Sequence, residues 1–113
     1  ALGTVEKFMG TEFTSLRFAG GGALSDIWAQ IYADILQIPI QQMADPVQVT
    51  CRGAGLIGLV RLGHLPLEEI PKRVKIKQTF NPIEANLPVY DKLFQQFKAV
   101  FKNNQAVFNS LNG

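Results

Sequence analysis

The sequence predicts an α/β fold in which a helix joins two parallel strands. A short apolar run, Leu16 to Ala19, ends at three consecutive glycines, and an amphipathic segment follows from Ser25. That segment stops at Pro39, where a second apolar run, Ile40 to Met43, begins. The succession of strand, glycine turn, helix and strand is typical of folds that place a helix N-terminus over a phosphate. Two strands joined by a helix are expected to be parallel, with a right-handed crossover.

The first half of the chain contains this predicted crossover unit. Residues 1–10 have the apolar spacing of a helix, and residues 15–19 form the first predicted strand. Ser25 is a good N-cap for the next helix, with Asp26 in the favourable first turn. The helix has an apolar stripe wide enough to pack on a sheet, and Trp28 is expected to anchor it in the core. The stripe consists of Ile27, Ile31 and Ile35 with Trp28, Tyr32 and Leu36 alongside.

The second half of the chain predicts two more helices and an edge strand. Residues 50–62 form a predicted helix with small residues on one face, a pattern expected where another helix or a flat ligand comes close. Residues 65–70 form a connector with a short helical turn, and residues 74–80 alternate as an edge strand does. A last, aromatic helix begins at about Asn86, and residues 85–113 form a C-terminal helical tail. The predicted order is therefore α-β-α-β-α-β-α.

Length and composition limit the class of protein. The 113 residues suffice for one domain and one core, so residues 1–113 are predicted to form a single α/β unit. Four of the eleven basic residues lie within residues 72–77. The rest of the chain has seven basic and nine acidic residues, a balance that does not indicate nucleic-acid binding. The longest apolar run, Gly53 to Val60, is too short to span a bilayer. With a single cysteine and no visible signal peptide, the sequence predicts a cytoplasmic location.

Four isolated features have a structural and a functional interpretation. Cys51 at a helix start is interpreted as a buried apolar residue rather than a reactive thiol. His64, the one histidine, has no acid or nucleophile partner in sequence and is not expected to be catalytic. The lysines of residues 72–77 are interpreted as protection of a sheet edge rather than a phosphate patch. Asp34 is expected to bind an N–H group or a partner on the helix surface, and no metal site is predicted.

A series of linked motifs runs through most of the chain. The motifs are Phe18-Ala19-Gly20-Gly21-Gly22-Ala23-Leu24-Ser25-Asp26-Ile27-Trp28, then Gln30, Ala33-Asp34 and Pro39-Ile40, then Arg52-Gly53-Ala54-Gly55, and last Phe80-Asn81-Pro82 to Tyr90. Together they resemble the C-terminal signature of the FGGY carbohydrate kinases, and the xylulokinase-like members in particular. The family more often has alanine where Gly55 stands. The resemblance covers almost the whole chain from Leu16 onward.

The resemblance implies a fold and a nucleotide site. FGGY kinases are two-domain proteins of the actin-like, ribonuclease H-like superfamily, and ATP, with Mg, lies in the cleft between the domains. The glycine turn contacts the phosphates of the nucleotide, and the start of the following helix lies near the adenosine. The resemblance therefore nominates Gly20, Gly21, Gly22, Ala23 and Ser25 as a nucleotide-binding edge.

Several parts of the family's active site have no counterpart in the sequence. The catalytic aspartate, the sugar pocket and the first phosphate loop belong to the N-terminal domain of the family, and the second phosphate loop precedes the segment seen here. The resemblance thus implies the C-terminal part of the second domain of a sugar kinase, with no catalytic residue in this chain. Phosphoryl transfer depends on positioning and on metal-assisted charge stabilisation, so the chain alone is expected to be inactive. The sugar is not identified by this sequence.

Two alternatives are compatible with the same residues. The spacing Gly20-x-Gly22-x-x-Ser25 is one residue from a dinucleotide fingerprint, and Asp45 lies near the end of the next strand, where a ribose-binding acid is expected. Against it, the third small position is serine, and the following helix and edge strand do not extend a doubly wound sheet. The other alternative is a degenerate kinase-like module without activity. An open sheet edge and an uncovered apolar face predict a homo-oligomer in isolation.

Overall fold

A three-stranded mixed sheet forms the centre of the structure, a computed structural model that describes residues 2–112. The strands are β1 (Leu16–Phe18), β2 (Ile40–Met43) and β3 (Ile76–Phe80), in that order across the sheet. The helices are α1 (Leu2–Met9), α2 (Asp26–Leu36), α3 (Val49–Arg61), α4 (Ile70–Arg73) and α5 (Leu87–Asn112). The predicted α/β class is confirmed. One difference is that the predicted connector continues into a short helix, α4, before β3. The predicted first helix also included Ala1, which lies outside the described residues.

The two strand pairs of the sheet run in different senses. β1 and β2 are parallel, with Leu16 opposite Ile40, and α2 connects them. β3 is antiparallel to β2, with Phe80 opposite Ile40 and an irregularity in register between Gln42 and Met43. β3 lies at the edge of the sheet, as predicted; Lys77 is its one lysine, and Lys75 precedes it.

The core lies between α2 and the sheet. Ala29 and Ala33 are fully buried and pack with Ile40 and Phe80, while Leu36 and side chains of β1 surround this cluster. Because alanine has a small side chain, α2 can approach the strands closely. The buried stripe of α2 is therefore narrow and made of small residues.

The prediction that Trp28 anchors α2 in the core is wrong. Its side chain is 54% exposed and contacts the ring of Tyr32, with 6.0 Å between the ring centroids. Ala29 and Ala33 occupy the face toward the sheet, and Trp28 lies about 100° around the helix from Ala29. Ile27 and Ile35 are exposed as well, whereas Leu36 packs against the core and Tyr32 contacts Phe18 of β1.

Asp34 links α2 to the segment that leads into α5. The carboxylate is buried and accepts hydrogen bonds from Gln30 Nε2 (2.8 Å), the Ile83 N–H (2.8 Å) and Asn86 Nδ2 (2.7 Å). Burial alone would raise the pKa of this carboxyl, but the three hydrogen bonds outweigh it and hold the pKa below its ordinary value. The prediction of an N–H group or a helix-surface partner is confirmed in both forms: the Ile83 N–H lies 49 residues away, and Gln30 lies one turn earlier on α2.

The outer helices leave large apolar surfaces in solvent. No residue of α3 or α5 is buried in the part of the chain that the structure describes. The radius of gyration is 18.6 Å, against about 13 Å for a compact domain of this length. Cys51 is exposed on α3, so its predicted burial is wrong; α3 packs too loosely against the described residues to cover it.

Candidate functional site

The glycine turn (residues 20–24) connects β1 to α2 and is held at both ends. The Gly20 N–H donates to the Pro46 carbonyl over 2.8 Å, and the Ala23 N–H donates to the Gly20 carbonyl over 3.1 Å. At the other end, the Ala23 carbonyl accepts from Gln42 Nε2 over 2.8 Å. The turn is thus fixed to the second strand and to the segment that follows it, rather than hanging free as a surface loop.

The three glycine positions of the turn differ in whether the backbone conformation or the packing requires glycine. Gly20 has φ 89° and ψ −174°, a conformation that is essentially restricted to glycine. A Cβ on Gly22 would lie 3.5 Å from Cζ of Phe18, an ordinary contact. A Cβ on Gly21 would meet nothing within 4 Å, and its backbone has no positive φ. The fold of the described residues therefore does not require glycine at position 21, and the space above it is open.

The start of α2 adjoins this open space. Ser25 is extended, and its Oγ accepts from the Trp28 N–H over 3.3 Å, so the predicted N-cap is confirmed. The N–H groups of Gly21 and Gly22 begin the glycine turn and have no acceptor within it, as at the start of any helix. N–H groups and the positive end of a helix dipole are the features that attract an anion to such a connection.

An ion pair neutralises the acid in the first turn of α2. Asp26 Oδ1 accepts from Gln42 Nε2 over 2.9 Å and from Lys77 Nζ over 3.2 Å. The hydrogen bond from Gln42, followed by that from Lys77, holds the pKa of Asp26 below its ordinary value. Lys77 extends from β3, so the ion pair joins the beginning of α2 to the far edge of the sheet.

The segment after β2 forms the second side of this region. Pro46 is buried next to the glycine turn, in a short turn that leads into α3. Arg52 donates to the Ala44 carbonyl (2.7 Å) and the Asp45 carbonyl (3.2 Å), and its guanidinium lies 3.9 Å from the Asp45 carboxylate. Arg52 thereby fixes α3 against the end of β2.

The small-residue face of α3 is open in the described residues. A Cβ added at Gly53, Gly55 or Gly58 would meet nothing within 4 Å. Beside Gly53, an apolar cavity of about 280 Å³ opens between α3 and the α4 region. Its lining residues are Met43, Val49, Arg52, Gly53, Leu56, Ile57, Ile70 and Val74.

Metal ligands are not concentrated anywhere in residues 2–112. No group of three or more His, Cys, Asp or Glu side chains in this part of the chain is placed to hold an ion. His64, the one histidine, is exposed at the loop after α3. Among the same residues, no helix is both long and apolar enough to cross a membrane.

The sequence of the α1 to α3 region matches a known family model. The model describes the C-terminal domain of the FGGY family of carbohydrate kinases, and the match spans residues 2–62, which include the glycine turn, α2 and α3. The chain belongs to the FGGY family. The resemblance inferred from the glycine turn and the later motifs is therefore confirmed.

Relatives within the FGGY family differ in the substrates that their names give. The chain is 29% identical over 117 residues to an autoinducer-2 kinase from Enterobacter sp. (strain 638), covering 96% of this chain and 21% of that protein. It is 26% identical over 98 residues to a xylulose kinase from Staphylococcus epidermidis, covering 85% of this chain and 20% of that protein. The chain thus spans about a fifth of the length of these FGGY relatives.

A solved structure has the same fold. The ligand-bound xylulose kinase from Lactobacillus acidophilus matches with a TM-score of 0.79, covering 96% of this chain and 22% of that one. The sequence identity is 22%, so this match shows the fold and nothing about the substrate.

The structure brings the nominated residues together, but in unequal positions. Gly21 and Gly22 are exposed, whereas Ala23 is buried and both of its backbone polar groups are bonded within the chain. The sequence analysis did not single out Gln42, which holds the turn from below. The one signal for it in the sequence was that Gln42 shares a strand face with Ile40 and Ala44, where an apolar residue is expected.

Proposed function

We propose that this chain is the C-terminal part of the second domain of an ATP-dependent carbohydrate kinase of the ribonuclease H-like type. In this proposal, the glycine turn and the start of α2 form one edge of the nucleotide cleft. The observation that carries it is the family match over residues 2–62, which contain the open glycine turn. The proposed nucleotide edge consists of Gly20, Gly21, Gly22, Ala23 and Ser25.

The shape of the glycine turn fits a bound nucleotide. The absence of a side chain on Gly21 leaves the backbone accessible, and nothing in the described residues fills that space. The N–H groups of Gly21 and Gly22 and the N-terminus of α2 suit a phosphate or a ribose hydroxyl. Ala23 has a different part: its buried methyl group and its bonded backbone keep the glycines in place.

The residues of this chain act by binding and orientation. ATP supplies the phosphoryl group that the kinase transfers, and magnesium ions neutralise its phosphate charge. Fixed N–H donors at the glycine turn require no reorganisation when the nucleotide binds, which favours a defined phosphate position. The metal ligands and the base that accepts the sugar proton are proposed to come from the remaining four fifths of an FGGY kinase. The chain by itself is therefore proposed to be inactive.

The dinucleotide alternative has little structural support. Ser25 occupies the third small position of that fingerprint, and its Oγ caps α2. Asp45, the candidate for a ribose-binding acid, is turned to Arg52 in a left-handed conformation with φ 47°. The strand that joins β2 next, β3, is antiparallel rather than a further parallel strand.

The proposal extends to location and assembly. A free, exposed thiol at Cys51 favours a reducing compartment such as the cytoplasm. The uncovered apolar side chains of α2 and α5 favour self-association of the chain in isolation.

The substitution Gly21→Val tests the proposed nucleotide edge in the intact kinase that contains this chain. The valine fits the fold of the chain but occupies the space proposed for the nucleotide, so the Kd for ADP should rise at least about tenfold, or about 1.4 kcal/mol. Isothermal titration calorimetry with ADP, and with NAD as the contrasting ligand, measures this effect.

The matched control is Gly3→Val, because position 3 is equally open but lies in α1. It should leave the Kd for ADP unchanged. Equal affinities for ADP in the Gly21→Val variant and the unmodified protein would indicate that the turn is only a structural connection. Binding of NAD in preference to ADP would favour the dinucleotide alternative.

A further inference from the structure

Gln42 is a fully buried amide in an otherwise apolar layer. It lies in β2 two residues after Ile40, so both side chains project from the same face of the strand, toward α2. An apolar side chain would fill this position without the cost of removing an amide from water, which is offset only where the amide is hydrogen-bonded. A polar residue at this position therefore needs a specific partner.

The partners of Gln42 lie in the glycine turn and at the start of α2. Its Nε2 donates to the Ala23 carbonyl over 2.8 Å and to Asp26 Oδ1 over 2.9 Å. Both partners are acceptors, so they fix the orientation of the amide, with the nitrogen toward the turn. The Oε1 atom is buried and has no hydrogen-bond partner in the described residues. The amide is thus only half satisfied, and its NH₂ group is the half that is used.

The bond to Ala23 completes the restraint of the turn. The Gly20 N–H is held by Pro46, and the Ala23 carbonyl is held by Gln42, so Gly21 lies between two fixed points. Asp26 Oδ1 accepts hydrogen bonds from the same amide nitrogen and from Lys77 Nζ, and these bonds tie the beginning of α2 to the sheet. Loss of the amide would release one end of the turn and leave the Ala23 carbonyl without its partner.

We infer that Gln42 is a positioning residue of the nucleotide edge, holding the glycine turn in the conformation that receives the phosphates or ribose of an adenine nucleotide. The inference rests on the proposed function. Gln42 does not touch the nucleotide. Its buried amide acts through the Ala23 carbonyl and sets how well the turn is ordered before the nucleotide arrives, which determines part of the affinity.

The test is Gln42→Met in the intact kinase, with Gln41→Met as the matched control. Methionine has a similar volume and no donor, and Gln41 projects from the opposite face of β2 and is only half buried. Calorimetry should give a Kd for ADP about tenfold higher in Gln42→Met than in Gln41→Met, the effect expected for one lost hydrogen bond. Hydrogen exchange without nucleotide should be about tenfold faster in a peptide covering residues 20–25 and unchanged in peptides from α3.

Four results would overturn the inference. One is an equal Kd for ADP in the two variants, and another is exchange that accelerates throughout the domain, which indicates a core residue without a specific effect on the turn. If Gln42→Met does not fold, Gln42→Leu takes its place, because leucine is apolar and cannot donate to the Ala23 carbonyl. Failure of both variants to fold would also assign Gln42 to the core alone. A loss of ADP affinity in Gly21→Val but not in Gln42→Met would reject this inference and leave the proposed function intact.

Discussion

At the scale of single residues, two buried polar side chains organise the contacts of α2. Gln42 holds the beginning of the helix and the turn before it, and Asp34 near its end binds the segment of Ile83 and Asn86. Each makes hydrogen bonds that cross from one part of the chain to another. The position of α2 therefore depends on polar contacts at both ends as well as on the alanine face between them.

Asp34→Asn should destabilise the fold by about 2 kcal/mol, because an amide NH₂ would face donors that now bind a carboxylate. Urea unfolding at pH 7 measures the loss, with the exposed Asp91→Asn as the control. The pKa of Asp34 is lower in the folded state, so its contribution is fully present above the unfolded pKa of about 3.9 and is lost as the pH falls through the folded value. The unmodified chain should thus lose stability below about pH 4 more steeply than Asp34→Asn. Equal slopes for both proteins would contradict this account.

At the scale of elements, α3 has a glycine-rich face that nothing in the described residues covers. A glycine inside a helix costs about 1 kcal/mol relative to alanine, and among residues 2–112 no close contact requires it at position 58. Under the proposed function, this cost is explained if another part of the kinase packs against the glycine face of α3.

Gly58→Ala should stabilise the isolated chain by about 1 kcal/mol, through the higher helix propensity of alanine. Urea unfolding, followed by the fluorescence of Trp28, measures the change. The control is Gly63→Ala, which should destabilise because Gly63 has φ 77°. In the intact kinase the gain from Gly58→Ala should disappear; a gain of the same size in both proteins would mean that this face stays uncovered.

Among the helices and strands, the features that depend on neighbouring residues were predicted well from the sequence. Ser25 as the N-cap of α2 and residues 40–43 as a strand depend on neighbours within a few positions, and the structure has both. Burial was harder to predict, because the apolar stripe of α2 indicated Trp28 rather than Ala29 as the residue facing the sheet. Apart from Gln30, the partners of Asp34 and Gln42 could not be predicted from local patterns, since they lie 16 to 52 residues away in sequence. Within the candidate site, the glycines were found from sequence, and the side chain that holds them was not.

At the scale of the whole molecule, many large apolar side chains are exposed to solvent. Phe8 on α1 is 89% exposed, and α5 carries a series of exposed aromatic and aliphatic side chains along its length. The exposed members of α5 are Val89, Leu93, Phe94, Phe97, Val100, Phe101, Val107, Phe108 and Leu111. Surfaces of this kind mark contacts with other parts of a protein or with other molecules.

The isolated chain should therefore form oligomers, because burial of these side chains gains roughly 25 cal/mol for each Å² removed from water. Light scattering over a range of concentrations measures the assembly. The double substitution Phe97→Lys and Phe101→Lys should shift the chain toward monomer, whereas Lys102→Ala, on the polar side of α5, should not. A monomer at high concentration in the unmodified chain would contradict the prediction.

The different backbone constraints at positions 20 and 21 predict how each position would change in evolution. An L-residue at position 20 is strained by its backbone conformation, whatever the protein binds, at a cost of about 1 to 3 kcal/mol. Position 21 is free of that constraint in the described residues, and under the proposed function the bound nucleotide is what keeps glycine there. A lineage that had ceased to use a nucleotide would retain Gly20 and accumulate other residues at position 21. The presence of both glycines is the pattern that the proposed nucleotide edge predicts.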